Sequence, residues 1–288
     1  MLALLCLLLA ATGCRKAPIQ DAAVSAPVPH PARFLLTFDD GPSVRRPYNP
    51  TTAILDTLVD NSVQPRIKAA FFVQTRSPRR GGNPYGKKLL RRIHDEGHVI
   101  ALHSGSARGH KNHRRLPPAE LEQSLIDGSA DIHGLSGHDP TLVRPPYWAF
   151  NARTQAAYQD HELEMLLTDI SARDGKTWGW HISLRRRSHF RARLAEVRQS
   201  IVEGRLPVVD GVVPVVVTFH DTNDYTARHM EEYLRILVEE ARRVGLPVAP
   251  EPFYGDGPTV ARVARLRARA GLRRRALGSH QRDRRSGL

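Results

Sequence analysis

Cysteine is nearly absent from this chain of 288 residues. Cys6 and Cys14 are the only two, and both lie within the first fourteen residues. The rest of the chain therefore has no disulfide and no thiolate ligand, so any bound metal must be held by histidine and carboxylate side chains. Hydrophobic residues make up 41% of the sequence. That content is enough for a buried core and argues against disorder of the whole chain.

Charged side chains are missing from residues 1–13, where an apolar run is followed by small residues just before Cys14. The run is too short for a mature membrane helix and predicts an export signal, although a plain hydrophobic N-terminus is the alternative. The small residues are similar to a bacterial lipoprotein cleavage site, which would leave Cys14 lipidated. We predict a lipoprotein-type signal peptide over 1–14 and an Ala- and Pro-rich tether over 15–31. The expected location is the periplasm or cell envelope, with a lipid anchor at Cys14.

Acidic residues are scarce at the other end of the chain. Residues 261–288 hold ten arginines and one acid, Asp283, a charge of +9 that leaves +5 of the total +14 for everything before. We predict an Arg-rich basic tail over 261–288, either solvated or forming a helix over 262–275 that binds an anionic surface, such as that of the envelope. No aromatic residues interleave with these arginines, which argues against a specific nucleic-acid partner.

Between these ends, apolar runs alternate with stretches of helical periodicity. Seven runs are predicted to be strands, namely 33–38, 69–73, 99–102, 142–143, 165–168, 213–219 and 246–248. Strands that alternate with helices predict a parallel sheet or barrel, whose functional side chains lie at the carboxyl ends of the strands. We therefore expect one α/β domain over residues 32–260, a single distorted (β/α) barrel of about seven parallel strands.

Two adjacent carboxylates end the first predicted strand. Asp39 and Asp40 stand on a Gly-Pro turn that cannot continue the strand. Neighbouring residues that leave a strand point in different directions, so one carboxylate can hold a metal while the other holds a proton. A surface turn with solvated acids is the alternative.

Histidines follow the third predicted strand. His103 comes directly after it, and His110 and His113 follow within ten residues. Imidazole suits Zn²⁺, Ni²⁺, Co²⁺ or Fe²⁺, and two histidines with one carboxylate leave coordination positions for water and substrate. Asp40 is the candidate carboxylate, and a purely structural role for the histidines is the alternative.

Later strands also end in polar residues. Arg144 opens an Arg-Pro-Pro-Tyr segment that ends at Tyr147, and its two prolines stiffen the frame in which the arginine can orient a carboxylate. Asp169 and Asp174 follow the strand 165–168. His220 ends the strand 213–219, where it is placed to act as a general acid.

Two tryptophans, Trp178 and Trp180, come shortly after these aspartates. Tryptophan faces suit the apolar faces of sugar rings, but the side chain is equally common in protein cores.

Taken in order, these clusters resemble the five motifs of the polysaccharide deacetylase family of carbohydrate esterases, over residues 34–221. The run from Thr37 to Pro42, Thr-Phe-Asp-Asp-Gly-Pro, matches the first motif at every position, and the resemblance implies that Asp39 is the catalytic base and Asp40 a metal ligand. The Arg-Pro-Pro-Tyr segment matches the third motif. It implies that Arg144 orients the base and that the Tyr147 amide helps to bind an oxyanion. In the fifth motif, His220 would be the catalytic acid.

Two motifs depart from the family pattern. The second histidine normally stands four places after the first, but residue 107 is alanine. We prefer His113 as this ligand because the His-x-x-Leu that it begins is similar to a run that follows in the family, and His110 is the alternative. The acids of the fourth motif are spread out, so either Asp169 or Asp174 is the expected partner of Arg144.

The resemblance implies a metal-dependent hydrolase, with Zn²⁺ as the expected metal and Co²⁺ or Ni²⁺ as alternatives. It would remove acetyl groups, N-acetyl in preference to O-acetyl, from an acetylated polysaccharide or oligosaccharide of the cell envelope or the extracellular space. Two other functions remain open. One is a carbohydrate-binding protein on the same scaffold that has lost turnover, and the other is a nucleic-acid or membrane adaptor that acts through the Arg-rich tail.

Overall fold

The computed structural model describes residues 27–174 and 185–285, the last thirteen of them as backbone only. The predicted signal peptide, Cys14, most of the tether, Trp178 and Trp180 therefore lie outside the described residues. In the described part, eight strands form one sheet. They are β1 (Ala32–Asp39), β2 (Ala70–Gln74), β3 (Val99–Ser104), β4 (Leu142–Val143), β5 (Glu164–Met165), β6 (Ile170–Ser171), β7 (Val213–His220) and β8 (Val248–Phe253).

All pairings between these strands are parallel, as expected when helices connect successive strands. The main path runs β5-β4-β3-β2-β1-β7-β6, and β8 pairs with β1 off this path. The prediction of a distorted (β/α) barrel of about seven parallel strands is confirmed, since the path contains seven.

Two predicted strands differ in extent. The run 246–248 contributes only Val248, the first residue of β8. The run 165–168 contributes only Met165, the last residue of β5, which pairs with β4, and the next strand, β6, begins after the run and pairs with β7. The chain crosses from one edge of the sheet to the other between them.

Helices connect the strands. In the described part they are α1 (Pro50–Val59), α2 (Pro84–Asp95), α3 (Pro118–Ser136), α4 (Ala152–Asp160), α5 (Arg186–Val202), α6 (Asp224–Arg228), α7 (Met230–Arg243) and α8 (Gly257–Arg285). Helices α1, α2 and α3 each begin with proline, whose missing N–H costs nothing in a first turn. Asn49 and Asn83 cap α1 and α2 through their side-chain oxygens. None of the described helices is both long enough and apolar enough to cross a membrane.

The two faces of the sheet are buried in different ways. Phe34, Leu36 and Phe38 of β1 belong to a core that includes apolar side chains of helices α1 and α7. Leu35 belongs to a second core on the opposite face, because side chains alternate along a strand. Helix α8 covers this second face with four buried apolar side chains, those of Val260, Val263, Ala264 and Ala268.

The predicted boundary at residue 260 therefore needs correction, because it falls inside α8. Buried side chains of α8 extend at least to Ala268, and the guanidinium of Arg267 lies 2.6 Å from Asp169 Oδ1. Both members of this ion pair are largely buried, and loss of one partner from such a pair is strongly destabilising. The first part of the Arg-rich segment is thus a component of the folded domain, which local charge composition did not reveal.

Candidate active site

The predicted site residues meet at the carboxyl ends of β1, β3 and β7. They surround a cavity of about 330 Å³ lined by Asp39, Asp40, His103, His110, Pro145, Tyr147, Trp148 and His220. Residues Asp39 and His220 are register partners at the ends of β1 and β7. The parallel sheet therefore brings together residues that are far apart in the chain.

Asp39 is held by a buried arginine. Arg144 Nη1 donates to Asp39 Oδ1 at 2.7 Å and to Thr37 Oγ1 at 2.8 Å, while Nε donates to the carbonyl of Leu166 at 3.0 Å. The guanidinium also lies over the ring of Phe72, 4.0 Å from the ring centroid. Burial lowers the pKa of Arg144, and the charge of Asp39 opposes that shift. These contacts fix one orientation of the Asp39 carboxylate.

Asp40 stands on a tight turn after β1, with a left-handed backbone (φ 72°). Gly41 must be glycine, because a Cβ atom there would come within 2.1 Å of Asp221 Oδ2. Asp221 is fully buried beneath this turn, where burial raises its pKa to about 7 and a hydrogen bond from Thr51 opposes the rise. Gln74 Nε2 donates to the Asp40 carbonyl at 3.1 Å, which supports the turn from β2.

The donor set around Asp40 suits a divalent metal. Asp40 Oδ1 lies 3.1 Å from Nε2 of His103 and 3.1 Å from Nε2 of His110. This oxygen is buried and has no hydrogen-bond partner of acceptable geometry in the described part of the chain. Burial would raise the pKa of Asp40, but the neighbouring imidazoles of His103 and His110 hold it well below its usual range. The ionised carboxylate and two imidazole nitrogens therefore fit the site type expected for Zn²⁺.

The tautomer of His103 is set by its second nitrogen. Nδ1 lies 2.7 Å from the carbonyl oxygen of Arg144 and must donate to it, which leaves Nε2, the nitrogen that faces Asp40, as the one that can bind a metal. Burial lowers the pKa of His110 to about 4, against the charge of Asp40. Neutral imidazole is the form that binds a metal.

His110, rather than the preferred His113, completes this group, and the prediction is corrected accordingly. His113 is fully buried, and its Nδ1 lies 2.8 Å from the hydroxyl of Tyr158 on α4. Burial, together with the charges of His103 and His110, lowers its pKa to about 3. His113 therefore anchors the loop that carries His110. The His-x-x-Leu run marks that anchor and not the ligand.

His220 is paired with Asp174. Its Nδ1 lies 2.7 Å from Asp174 Oδ1, and Asp174 Oδ2 accepts hydrogen bonds from His220 N at 2.8 Å and Thr226 Oγ1 at 2.7 Å. Burial would lower the pKa of His220, but the charge and hydrogen bond of Asp174, with the charges of Asp39 and Asp40, raise it to about 10. The ring is therefore a protonated imidazolium beside the cavity.

Neither Asp169 nor Asp174 is the partner of Arg144, which corrects a second prediction. Asp174 belongs to His220. Asp169 instead binds Arg267 of α8, and its Oδ2 accepts from the backbone N–H of Val216 at 2.8 Å. Asp169 thus fastens α8 to the edge of β7, away from the cavity lining.

Tyr147, the last residue of the Arg-Pro-Pro-Tyr segment, and Trp148, which follows it, form one wall of the cavity. Tyr147 and Trp148 have left-handed backbones, with φ of 59° and 57°. The Tyr147 ring lies 4.3 Å from that of His110 and is 60% exposed, while the Trp148 ring lies 5.2 Å from the guanidinium of Arg144. Sequence reasoning missed Trp148, although its position next to Tyr147 was the available signal, and it missed the support that Asp221 gives to the Asp40 turn.

The fold and the site define a (β/α)-barrel protein with a candidate metal site, made of one carboxylate and two histidines, at its strand ends. The Asp39–Arg144 pair and the Asp174–His220 pair flank this site. Comparison with known proteins makes this assignment specific. The sequence model described as polysaccharide deacetylase matches residues 28–166. Over that segment, which is just under half of the chain, the sequence is similar to the polysaccharide deacetylase family.

Individual relatives are similar over part of their length. A chitin deacetylase from Pestalotiopsis is 32% identical over 160 residues, which are 53% of this chain and 49% of that protein. A peptidoglycan-N-acetylglucosamine deacetylase from Listeria monocytogenes is 34% identical over 119 residues, which are 41% of this chain and 22% of that protein. The solved structure of peptidoglycan deacetylase PdaC from Bacillus subtilis has a TM-score of 0.50 and 26% identity, and the match covers 75% of this chain and 93% of that one. This chain thus spans half or less of those two curated relatives.

Proposed function

We propose that this chain is a metal-dependent hydrolase that removes acetyl groups from a polysaccharide of the cell envelope or extracellular space and releases acetate. The observation that carries this proposal is the arrangement of three groups around one cavity. The Asp39–Arg144 pair and the Asp174–His220 pair flank the cluster of Asp40, His103 and His110. An acceptor and a donor of protons on either side of a Lewis-acid site are what hydrolysis of an acetyl group requires.

Asp40, His103 and His110 would hold the metal, Zn²⁺ by the choice of ligands, with Co²⁺ or Ni²⁺ as alternatives. When bound, such a cation polarises the acetyl carbonyl and lowers the pKa of a water molecule.

The residues of the chain then carry the protons. Asp39, held in place by Arg144, accepts a proton from the attacking water while the oxygen of that water adds to the carbonyl carbon. The backbone N–H of Tyr147 is the proposed donor to the oxyanion. His220 then donates its proton to the leaving nitrogen as the carbon–nitrogen bond breaks, which yields acetate and a free amine.

The state of His220 favours N-acetyl over O-acetyl substrates. A sugar nitrogen leaves as the amine only when it is protonated, and the imidazolium beside the cavity is a charged donor for that step.

Loss of turnover on the same scaffold is less well supported. The sequence features that favour it are the missing histidine at residue 107 and the spread-out fourth motif. His110 occupies the expected place beside Asp40, and Asp174 reaches His220, so both roles have an occupant. The adaptor function is less well supported too, because α8 contributes core side chains and its Arg267 is paired with Asp169.

We further propose that the protein is exported and anchored through a lipidated Cys14. The arginines near the C-terminus would hold the domain close to an anionic envelope surface.

Acetate release tests the proposed function. Purified protein should release acetate from at least one of peptidoglycan, chitin fragments, poly-N-acetylglucosamine and acetylated xylan. A chelator should abolish the release, and added Zn²⁺ should restore it. Stoichiometric zinc without release from any of the four would instead favour the binding protein.

The Asp174–His220 pair predicts a pH dependence. With a raised pKa of about 10, His220 remains a proton donor through neutral pH, and activity should fall as the pH rises through that value. Asp174 Oδ2 accepts two hydrogen bonds, so in Asp174→Asn the amide oxygen of the new side chain must take its place. The NH₂ group of the asparagine then faces Nδ1 of His220 and no longer favours the protonated ring. The variant should therefore lose its activity at a pH lower by about 1 to 3 units. Full pH–rate profiles measure this shift, and an unchanged alkaline limb would contradict the assignment of His220 as the acid.

A further inference from the structure

Positive charge is concentrated around the cavity as well as at the C-terminus. The loops that follow β1, β2 and β3 (residues 40–49, 75–83 and 105–117) contain nine arginine and lysine residues and one acid, Asp40. Because these three strands are parallel neighbours, their loops lie side by side at the edge that carries the cavity. The net charge of +5 before residue 261 conceals this local excess.

Most of these cations are not neutralised. Three of the nine pair with carboxylates of other elements, namely Arg45 with Asp224, Arg76 with Asp127 and Asp131, and Arg108 with Glu120. Within residues 27–174 and 185–285, six have no carboxylate at ion-pair distance, namely Arg46, Arg79, Arg80, Lys111, Arg114 and Arg115. The cavity rim is therefore basic over three adjacent loops.

The loop over residues 105–117, here called the histidine loop, orients its side chains in two directions. His110 points to the cavity and His113 is buried, whereas Lys111, Arg114 and Arg115 are exposed. Arg153 of α4 fixes the loop by donating to the carbonyl oxygens of His113, Arg114 and Leu116, at 3.3, 3.2 and 2.9 Å. The segment that supplies a metal-type ligand thus presents three unpaired cations on its outer side.

We infer that this basic rim binds the carboxylate groups of an anionic glycan, with Lys111, Arg114 and Arg115 as its main contacts. The inference rests on the proposed function, since it names the class of glycan that the same cavity would take. A neutral chain of N-acetylated sugars gains nothing from a positive rim, whereas a chain with repeated carboxylates is attracted to it and held in register. Cations spread over three loops also suit charges repeated along a polymer better than one isolated ion.

The test compares one glycan in two charge states. An alternating oligosaccharide of N-acetylglucosamine and N-acetylmuramic acid is assayed with its carboxyl groups free and with the same groups converted to methyl amides. The variant K111Q/R114Q/R115Q should raise KM for the free carboxylate form about tenfold at low salt, the effect of a few exposed ion pairs. KM for the amidated form and kcat for both forms should be unchanged. High salt should remove most of the difference.

A matched variant, K88Q/R235Q/R242Q, removes the same charge from exposed positions of α2 and α7 and should behave like wild type. Equal losses on both glycans, or a KM for the free carboxylate form that salt does not change, would overturn the inference. A strong preference for duplex DNA over both glycans would assign the rim to nucleic acid and would also overturn it. If wild type releases no acetate from either form, calorimetric binding of the two forms tests the charge preference, and equal binding would overturn the inference. The proposed function itself fails only if none of the four polymers named above releases acetate.

Discussion

Replacement of Asp39 by asparagine should reduce kcat by roughly 10² to 10⁴, the usual contribution of a positioned general base. Asparagine has nearly the same shape as aspartate. Its amide oxygen can still accept the hydrogen bond that Arg144 Nη1 donates to Asp39 Oδ1, which is 2.7 Å long in the wild-type structure. It cannot take a proton from water. The loss should appear in kcat and much less in KM, because the proposed role of Asp39 is to act on the attacking water and not to hold the sugar.

Stability has to be measured alongside this variant. Arg144 is fully buried, and Asp39→Asn removes its countercharge, which can cost about 3 to 5 kcal/mol of unfolding free energy. Assays therefore belong well below the unfolding transition, with metal content determined in the same sample. Asp139→Asn is a matched control, because Asp139 is exposed and bonded to His133 far from the cavity. A well-folded, metal-loaded Asp39→Asn enzyme with kcat near that of wild type would show that another group is the base.

Much of this site follows from periodicity and topology alone. The apolar runs before Asp39, His103 and His220 are strands in the structure, and parallel strands place their carboxyl ends on one edge. That reasoning brings together Asp39, Asp40, His103 and His220 without any knowledge of loop geometry. Arg144 is reached in the same way, since it follows β4 directly.

The errors all arose where a contact depends on a loop or on a distant element. The choice between His110 and His113 depends on how residues 105–117 fold, and the decisive contact is the hydroxyl of Tyr158, 45 residues away from His113. The partner of Asp169 is Arg267, 98 residues further along the chain. Arginine-rich composition predicts a solvated or surface helix, and only the spacing of Val260, Val263, Ala264 and Ala268 reveals an apolar face on α8.

Two histidine variants should separate the ligand from the anchor. His110→Gln should weaken metal binding by more than about 100-fold, because loss of even an outer-shell partner of a ligand typically costs 10- to 100-fold. His113→Gln should retain one metal per chain. It should instead lower the unfolding free energy by about 1 to 3 kcal/mol, since the buried hydroxyl of Tyr158 loses its partner.

Chelator-competition titration gives the affinity, and denaturant unfolding of the metal-free proteins gives the stability. Metal-free His110→Gln should have an unfolding free energy close to that of wild type. His110 is partly exposed, and so is its partner Asp40, so little stability depends on their contact. The opposite pattern, with metal lost from His113→Gln and kept by His110→Gln, would return the ligand role to His113. That result would also mean that the loop rearranges when metal binds. His113 Nε2 has no hydrogen-bond partner in the described part of the chain, so no hydrogen bond from that nitrogen would oppose its turning toward the metal.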